Sequence, residues 1–547
     1  MRKMKHVGNI ARWAGLFVAV LFTVSFIFWG RGAQDPYYWL TEYASGDVTG
    51  SLSFGTVHVG HLWCKLFGST LLGDRLHGWL CCTVAMTLPF LICFDSRDRR
   101  EGKVWYSFTA AMFLMAYGTF NEFNPGTLSF LMMSVIVCLM YLFSRRLELK
   151  HAMLMGLVTA LAIACRLPNV IAVAVCLTFI TACMIQQKRA FPWIMLADFL
   201  YLAVLGAAYV VIFRIGRGTF NVLSVTLMDI SGENNGTHSI LDMMKNLFGG
   251  LNEILIDFSF ITLLYCFMQI ERRTTSRWHT IVLDVLVVAV MCYFLKNNIG
   301  THVWHNFRLH VFTSSICIFV CFLYSLRLAG QRNWKDLIFI LSAALVMFVI
   351  PLGSDTVWVK LFPPLLVILF LSLSRLDIDV RSSVLWCSLA VYVGYSLVCY
   401  ANNNISKGTA ESVFNMTEMT ENAALRGVRL SKSDVQYLDQ VCADFDRYAL
   451  RDCTFFYGSP AHYHYVVTGS KPVVKDYPYW MDKNDSTVFG PMLNAAAEKS
   501  AFLFDLMNND SESFHEILDE IDYATVYACD DYTIYKPKNE SDICQQQ

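Results

Sequence analysis

The sequence predicts a polytopic α-helical membrane protein of about 13 transmembrane helices, followed by a C-terminal extracytoplasmic α/β domain. Of its 547 residues, 55% are hydrophobic and 16% are charged, and the mean hydropathy is +0.43. A soluble domain usually carries about 25% charged residues. The composition therefore argues against a soluble multidomain enzyme, a disordered chain or a nucleic-acid-binding protein, and we expect no nucleic-acid partner.

Charge divides the chain into two predicted domains. Residues 401–547 have a net charge of −11, whereas residues 1–400 have a net charge of +10. We predict a transmembrane domain over residues 1–400, which includes a first extracytoplasmic loop at 31–76, and a soluble extracytoplasmic domain over residues 401–547. The 401–547 region holds four of the 18 cysteines, and these could form disulfides in an oxidising compartment.

Thirteen apolar segments approach the roughly 20 residues that a helix needs to cross a bilayer. The first is predicted to be an uncleaved helix, because no small-residue cleavage site precedes Arg31. The fifth and sixth are separated by Arg166-Leu167-Pro168-Asn169. We predict a tight turn there, since Arg followed by Pro is unfavourable inside a lipid-facing helix; one kinked helix, giving twelve spans, is the alternative. The predicted spans are 13–30, 77–94, 104–120, 127–143, 152–165, 169–186, 192–213, 251–269, 280–295, 310–326, 337–351, 359–374 and 383–400.

Lys and Arg predict the orientation of these spans. Alternate connections, starting with the N-terminus, are short and basic, which places them in the cytoplasm. An odd number of spans then places the acidic C-terminal domain outside. This pattern favours a bacterial inner membrane with a periplasmic C-terminal domain, with the endoplasmic reticulum as the alternative. Because the larger loops also lie outside, we expect the chemistry or binding on that side.

The C-terminal residues predict a small α/β domain. The stretch after Ser431 reads as a helix, because Ser followed by Asp three residues later suits a helix N-terminus. CTFFYGS and HYHYVVTGS read as strands, residues 491–507 as a helix, and ATVYACDDYTIY as a hairpin.

The first predicted outside loop opens with RGAQDPYYWL, which places Asp35 within a few residues of the membrane surface. Tyr37 and Tyr38 follow directly, and residues 59–80 have the spacing of a helix lying along the interface. A carboxylate beside aromatic side chains at the bilayer edge suits a substrate with a lipid tail and a polar head. The alternative is a solvated Asp within an interfacial aromatic belt.

A second short outside loop, NEFNPG between the third and fourth spans, holds Glu122. The whole layout resembles the GT-C glycosyltransferase superfamily, which includes oligosaccharyltransferase catalytic subunits, protein O-mannosyltransferases and lipid A aminoarabinose transferases. This resemblance implies a GT-C-like fold and an inverting enzyme that transfers a sugar from a polyprenyl phosphate or diphosphate carrier to an acceptor on the outer face. It implies that Asp35 and Glu122 are the catalytic carboxylates and possible ligands of a divalent metal.

Two departures from the family pattern concern that metal. Many members carry two adjacent acidic residues in the first loop, whereas Gln34 and Pro36 flank Asp35. The second loop has a single Glu between two asparagines rather than two acidic residues. Metal dependence is therefore left open.

A leaving phosphate needs a cation, and the predicted outside cations at membrane depth include Arg166 and Arg308. A planar guanidinium matches phosphate oxygens, so both are predicted phosphate ligands; the alternative is that they snorkel at helix ends. His58, His302 and Asp355 lie in predicted outside loops and, with Tyr37 and Tyr38, complete the predicted substrate-binding set. Surface histidines or a simple turn are the alternatives for these three.

The predicted partners are a polyprenyl-linked sugar donor and membrane lipid, and the acceptor stays open. Two other functional classes fit the layout. A transporter or flippase would place ionisable groups near the midplane and often shows repeated halves, and neither is evident here. A non-catalytic polysaccharide-assembly membrane protein would use the C-terminal domain to bind a partner.

Overall fold

A computed structural model describes residues 2–32, 34–46, 53–115, 122–217, 245, 247–299, 305–352, 357–377, 382–402, 412–448, 453–458, 461–473 and 486–538. Contacts divide the chain into two compact units. The first, here called the membrane unit, contains residues 1–27, 48–59 and 75–403. The second, here called the C-terminal unit, contains residues 28–47, 60–74 and 404–547. Two parts of the first loop therefore group with the C-terminal residues, whereas the sequence analysis placed all of residues 1–400 in one domain.

The first four helices run through the predicted first span, the first loop and the second span. They are α1 (Arg2–Ser25), α2 (Gln34–Ser45), α3 (Phe54–Phe67) and α4 (Leu71–Ile92). The single interfacial helix predicted over 59–80 is instead split between α3 and α4. Gly68 has a φ of +84°, a conformation that glycine adopts readily, and it ends α3 after Phe67.

Helices also lie within the other predicted spans, although residues 116–120 of the third span are outside the described residues. They are α5 (Gly102–Met115), α6 (Pro125–Arg146), α7 (Leu149–Cys165), α8 (Ile171–Gln186), α9 (Phe191–Arg217), α10 (Leu251–Arg273), α11 (Arg277–Asn298), α12 (His305–Gly330), α13 (Trp334–Val349), the short α14 (Val357–Lys360), α15 (Phe362–Leu373) and α16 (Ser383–Asn402).

Within the described ranges, seven helical segments are long and apolar enough to cross a membrane, so the chain is an integral membrane protein. These segments are Leu71–Ile92, Pro125–Arg146, Leu167–Gln186, Phe191–Ile215, Leu247–Arg273, Arg277–Asn298 and Arg308–Gly330. The others are shorter, and the total of thirteen spans stays a prediction.

The break predicted between the fifth and sixth spans is present. Helix α7 ends at Cys165, a 3-10 turn covers Leu167–Val170, and α8 begins at Ile171. Asn169 is fully buried in this turn, and its amide donates to the Ser129 hydroxyl (2.8 Å) and the Ala162 carbonyl (2.7 Å). These bonds tie the turn to α6 and to the last turn of α7.

The C-terminal unit is an α/β structure. Its helices after the first loop are α17 (Lys432–Tyr448), α18 (Ala461–Thr468), α19 (Ser486–Ala497) and α20 (Glu512–Glu520). Its strands are β1 (Glu418–Met419), β2 (Arg429–Leu430), β3 (Thr454–Tyr457), β4 (Phe502–Asp505), β5 (Tyr523–Ala528) and β6 (Thr533–Pro537). Strands β1 and β2 pair with each other, and the larger sheet has the order β3-β4-β6-β5, with β3 and β4 parallel and the other pairs antiparallel.

Several predictions for this unit are confirmed. The Ser431 hydroxyl accepts a bond from the Asp434 amide (3.1 Å) at the start of α17, as the sequence predicts. CTFFYGS contains β3, and ATVYACDDYTIY forms the β5–β6 hairpin. Among the described residues, Cys442, Cys453 and Cys529 form no disulfide with one another; Cys544 lies outside the described residues.

Two predictions for this unit are wrong. HYHYVVTGS forms helix α18 rather than a strand. Nearly every residue of α18 is buried, so its polar and apolar side chains do not separate into two faces, and their alternation carries no strand signal. The predicted helix at 491–507 ends at Ala497, and Phe502–Asp505 is the buried strand β4.

Candidate functional site

The second loop reaches helix α6 through a well-defined cap. Asn124 accepts bonds from the backbone amides of Gly126 (2.8 Å) and Thr127 (3.1 Å), and Pro125 occupies the first helical position. Thr127 in turn accepts a bond from the Asn124 amide (2.9 Å). This reciprocal capping fixes the end of the loop, and Glu122 lies only two residues before it.

Arg75 on α4 pairs with Glu122. The guanidinium lies 3.8 Å from the carboxylate, and it also donates to the Ile27 carbonyl (3.3 Å). The Arg75 side chain is 3% exposed and that of Glu122 is 13% exposed, so water screens this pair weakly. The sequence analysis missed Arg75; the signal was a basic residue at the edge of the apolar run of the second predicted span.

Two further residues of α4 fix the second loop. A Cβ on Gly78 would lie 2.6 Å from the Glu122 carbonyl oxygen, so only glycine permits this close approach of helix and loop. The His77 ring stacks on Phe123, with 3.6 Å between their centroids. Helix α4 therefore holds Glu122 through charge, close packing and ring stacking.

Asp35 lies in the first turn of α2 and is half-buried. The first turn of a helix is a favourable place for a negative side chain. At the other end of α2, Tyr43 packs against Gly60 of α3, where a Cβ would clash with the tyrosine ring. The Tyr43 carbonyl also bonds the His61 ring (2.7 Å). Helix α2 is thus held at its far end by α3.

The two tyrosines after Asp35 have different environments. Tyr37 is 1% exposed, and its ring meets Tyr463 edge-on, with 4.9 Å between centroids. Its hydroxyl donates to the Arg31 carbonyl. Tyr37 is therefore a core residue, which corrects its prediction as a substrate-binding side chain. Tyr38 is half-buried beside His462, with 5.0 Å between centroids, and its predicted role stays a prediction.

The two predicted phosphate ligands also differ. Both Nη atoms of Arg308 donate to Asp257, at 2.7 and 2.5 Å, and its Nε lies 3.5 Å from Glu253. Asp257 is 0% exposed. The guanidinium of Arg308 is thus paired with two carboxylates, of which Asp257 is buried and Glu253 is half-exposed, and this pairing argues against its predicted role as a phosphate ligand.

Arg166 follows α7 and donates through Nη1 to the Ile350 carbonyl. An arginine carries five N–H donors, and among the described residues the bond to Ile350 uses one of those of Arg166. Its predicted role as a phosphate ligand stays open.

The structure gives little information on the remaining predicted site residues, His58, His302 and Asp355. His58 is exposed on α3, and His302 and Asp355 lie outside the described residues. Among the side chains that the structure describes, no group of three or more His, Cys, Asp or Glu could hold a metal ion. Metal binding by Asp35 and Glu122 therefore stays a prediction.

No protein-family model matches the sequence, and no curated protein matches it. Among solved structures, the chain is similar to a crystal structure of ArnT from Cupriavidus metallidurans bound to undecaprenyl phosphate. The identity is 11% and the TM-score 0.49, over 95% of this chain and 97% of that chain. For the apo state of the same protein, the identity is 10% and the TM-score 0.41, over 96% of this chain and 98% of that chain.

Proposed function

We propose that this chain is an inverting glycosyltransferase that moves a sugar from a polyprenyl phosphate or diphosphate carrier to an acceptor on the outer face of the membrane. The observation that carries the proposal is the fixed position of both candidate carboxylates. Asp35 lies in the first turn of α2, and Glu122 lies beside the buried Arg75 just before α6. Carboxylates held in fixed positions suit the binding of a lipid-borne polar substrate.

The reaction would proceed by a single displacement. An oxygen or nitrogen of the acceptor attacks the anomeric carbon, and the bond from that carbon to the phosphate oxygen breaks. The polyprenyl phosphate leaves with the electron pair, and the acceptor proton passes to a carboxylate. We assign this base role to Asp35, since a general base must be a carboxylate or similar group within hydrogen-bond reach of the acceptor.

The leaving phosphate gains negative charge in the transition state, and a nearby cation would stabilise it. We assign this role to Arg166, whose guanidinium donates one bond to the Ile350 carbonyl and has further donors. Arg308 is not included, because Asp257 occupies both of its Nη atoms. Glu122, beside the positive charge of Arg75, would orient the acceptor or favour the charge that develops on the sugar ring.

The test is sugar transfer in membranes that contain the Asp35→Asn variant. Membranes are supplied with a panel of synthetic polyprenyl phosphate sugars, and release of free polyprenyl phosphate is measured by mass spectrometry, so that the sugar need not be known beforehand. Removing a general base costs about 10²–10⁴ in rate, and we expect a loss in that range.

The matched control is Glu42→Gln, which neutralises a second carboxylate on the same helix, seven residues after Asp35. It should transfer like the unmodified protein. Full transfer by the Asp35→Asn variant at normal expression would remove Asp35 from the mechanism. Uptake of the lipid-linked sugar into vesicles without release of polyprenyl phosphate would favour a transporter instead.

A further inference from the structure

The C-terminal unit has a hydrophobic core to which both the first loop and residues 412–473 contribute. Tyr37 and Leu40 of α2 and Leu71 of α4 are buried in it. Their partners come from the region after the last membrane helix. These partners are Leu425, Val428, Leu430, Leu438, Tyr463 and Val467. The first loop is therefore built into the fold of this unit.

Backbone bonds join the two regions on both sides of α2. The Gly30 amide donates to the Arg429 carbonyl (2.8 Å), and the Leu71 amide donates to the Ala424 carbonyl (2.9 Å). These two bonds lie 41 positions apart in the first loop, but both reach the short segment 424–429. Residues 424–429 therefore bond to the first loop near both of its ends.

Side chains on α17 and α18 complete the attachment. Arg31 pairs with Asp434 of α17 (3.4 Å), and its guanidinium carbon lies 5.5 Å from the centre of the Tyr463 ring on α18. Tyr463 also meets Tyr37 edge-on, as described above. Both contacts lie within four residues of Asp35 along the chain. Tyr37 lies two residues after Asp35 on the same helix, so its contact with α18 restrains the backbone that carries Asp35, and the Arg31 contacts hold the segment that precedes this helix.

We propose that residues 412–473 are a scaffold for the acidic first loop, in which Leu438 and Tyr463 act as positioning residues for Asp35. The catalytic consequence rests on the proposed function, whereas the structural attachment does not. On this account the C-terminal domain acts on the position of the first loop. It keeps the general base in place, and it cannot be loosened from the loop without loss of transfer.

The attachment is tested on the full-length protein with a protease site inserted after Asn403. After cleavage, membranes are washed with high salt, and retention of the C-terminal fragment is measured by immunoblot. The informative pair of variants is Leu438→Ala and Leu518→Ala. Both truncate a buried leucine on an amphipathic helix of the same unit, but Leu438 packs with the first loop, whereas Leu518 packs on the larger sheet.

We expect the unmodified fragment and the Leu518→Ala fragment to stay with the membrane and the Leu438→Ala fragment to be released. Tyr37→Leu is a second test that leaves the fragment's own sequence unchanged, and it should also release the fragment. Equal retention of all fragments, or equal release from the Leu438→Ala and Leu518→Ala proteins, would overturn the scaffold.

The positioning role is tested on the same two variants without cleavage. Misplacement of a reacting group costs up to about 100-fold in rate, and we expect Leu438→Ala to lower kcat on the order of tenfold with an unchanged KM for the polyprenyl phosphate sugar. Leu518→Ala should keep kcat even at a matched loss in thermal midpoint. An equal drop in kcat for both would contradict positioning. If the unmodified protein shows no transfer, the proposed function fails, and fragment retention still decides the scaffold.

Discussion

The two candidate carboxylates are held by opposite means. In the membrane unit, polar contacts and a close backbone approach fix Glu122: Arg75 pairs with its side chain, and Gly78 lets its backbone lie against α4. In the C-terminal unit, burial of the tyrosine two positions after Asp35 fixes the helix that carries it. Asp35 itself lies half-exposed at the start of that helix.

This difference follows from the surroundings of each loop. Among apolar helices a buried guanidinium is weakly screened, so one ion pair can orient a carboxylate. In the C-terminal unit, burial of apolar and aromatic area supplies the free energy instead. We call α2 with its packing partners in the C-terminal unit the Asp35 side, and the second loop with the residues of α4 that contact it the Glu122 side. The stability of the Asp35 side should therefore respond to changes in packing. The stability of the Glu122 side should respond to changes in charge and to side chains that crowd its backbone.

The largest effect is expected from Tyr37→Ala. Truncation of a large buried aromatic side chain costs about 3–5 kcal/mol, and this variant also removes the bond to the Arg31 carbonyl. The C-terminal unit should unfold at a markedly lower temperature in detergent, measured by scanning fluorimetry. Tyr38→Ala is the control, since its ring is only half-buried, and it should cost much less. Equal losses would refute the packing account of the Asp35 side.

On the Glu122 side, Gly78→Ala should destabilise the membrane unit by about 1–3 kcal/mol, because the added methyl meets backbone that cannot move aside. Gly206→Ala on α9 is the matched control. A Cβ there meets nothing within 4 Å, and alanine is the better helix former by about 1 kcal/mol. Thermal midpoints should therefore fall for the first variant and hold or rise for the second. A neutral Gly78→Ala would show that the loop is free to shift.

Acid should weaken the Asp35 side selectively. Burial lowers the pKa of His462, which lies against Tyr38, from 6.5 to about 4. Between pH 4 and 6.5 the His462 side chain binds a proton in the unfolded chain but not in the folded chain. Its contribution to the free energy of unfolding is therefore at its full value above pH 6.5. It should fall by about 1.4 kcal/mol per pH unit as the pH drops toward 4. Unfolding measured across this range should show the slope, and His462→Phe should flatten it. An unchanged slope in that variant would assign the effect to other groups.

The smallest effect is expected for the salt dependence of two ion pairs, Arg31–Asp434 and Arg75–Glu122. The Arg31 side chain is 32% exposed, and pairs of this kind contribute about 0–1 kcal/mol and are screened by salt. Arg31→Gln should therefore have a small cost that disappears at high salt. Arg75→Gln should cost more at every salt concentration, because it leaves Glu122 largely buried beside a neutral side chain. If the two variants lost stability with the same dependence on salt, the proposed difference in screening between the Arg31 and Arg75 ion pairs would be wrong.

Sequence reasoning succeeded where local rules are strong. The apolar runs predicted where the helices of the membrane unit lie, the Arg166-Pro168 pair predicted the break before α8, and Ser431 predicted the start of α17. It failed at α18, because a helix that is buried on nearly all sides lacks the polar face that gives an amphipathic helix its 3.6-residue hydrophobic pattern. It also failed for Arg308, because its partner Asp257 lies 51 positions away along the chain.

The sequence by itself determined that this is a membrane protein of many helices with two acidic loops, because hydropathy and charge act locally and leave a direct pattern in the chain. Only the tertiary structure decided which arginine pairs with a buried carboxylate, which tyrosine is core and which helix holds each loop. Those outcomes depend on residues that are distant in sequence and become neighbours through packing. The sequence alone does not indicate that Tyr37 contacts Tyr463 or that Arg75 pairs with Glu122, because these contacts form only when the chain folds.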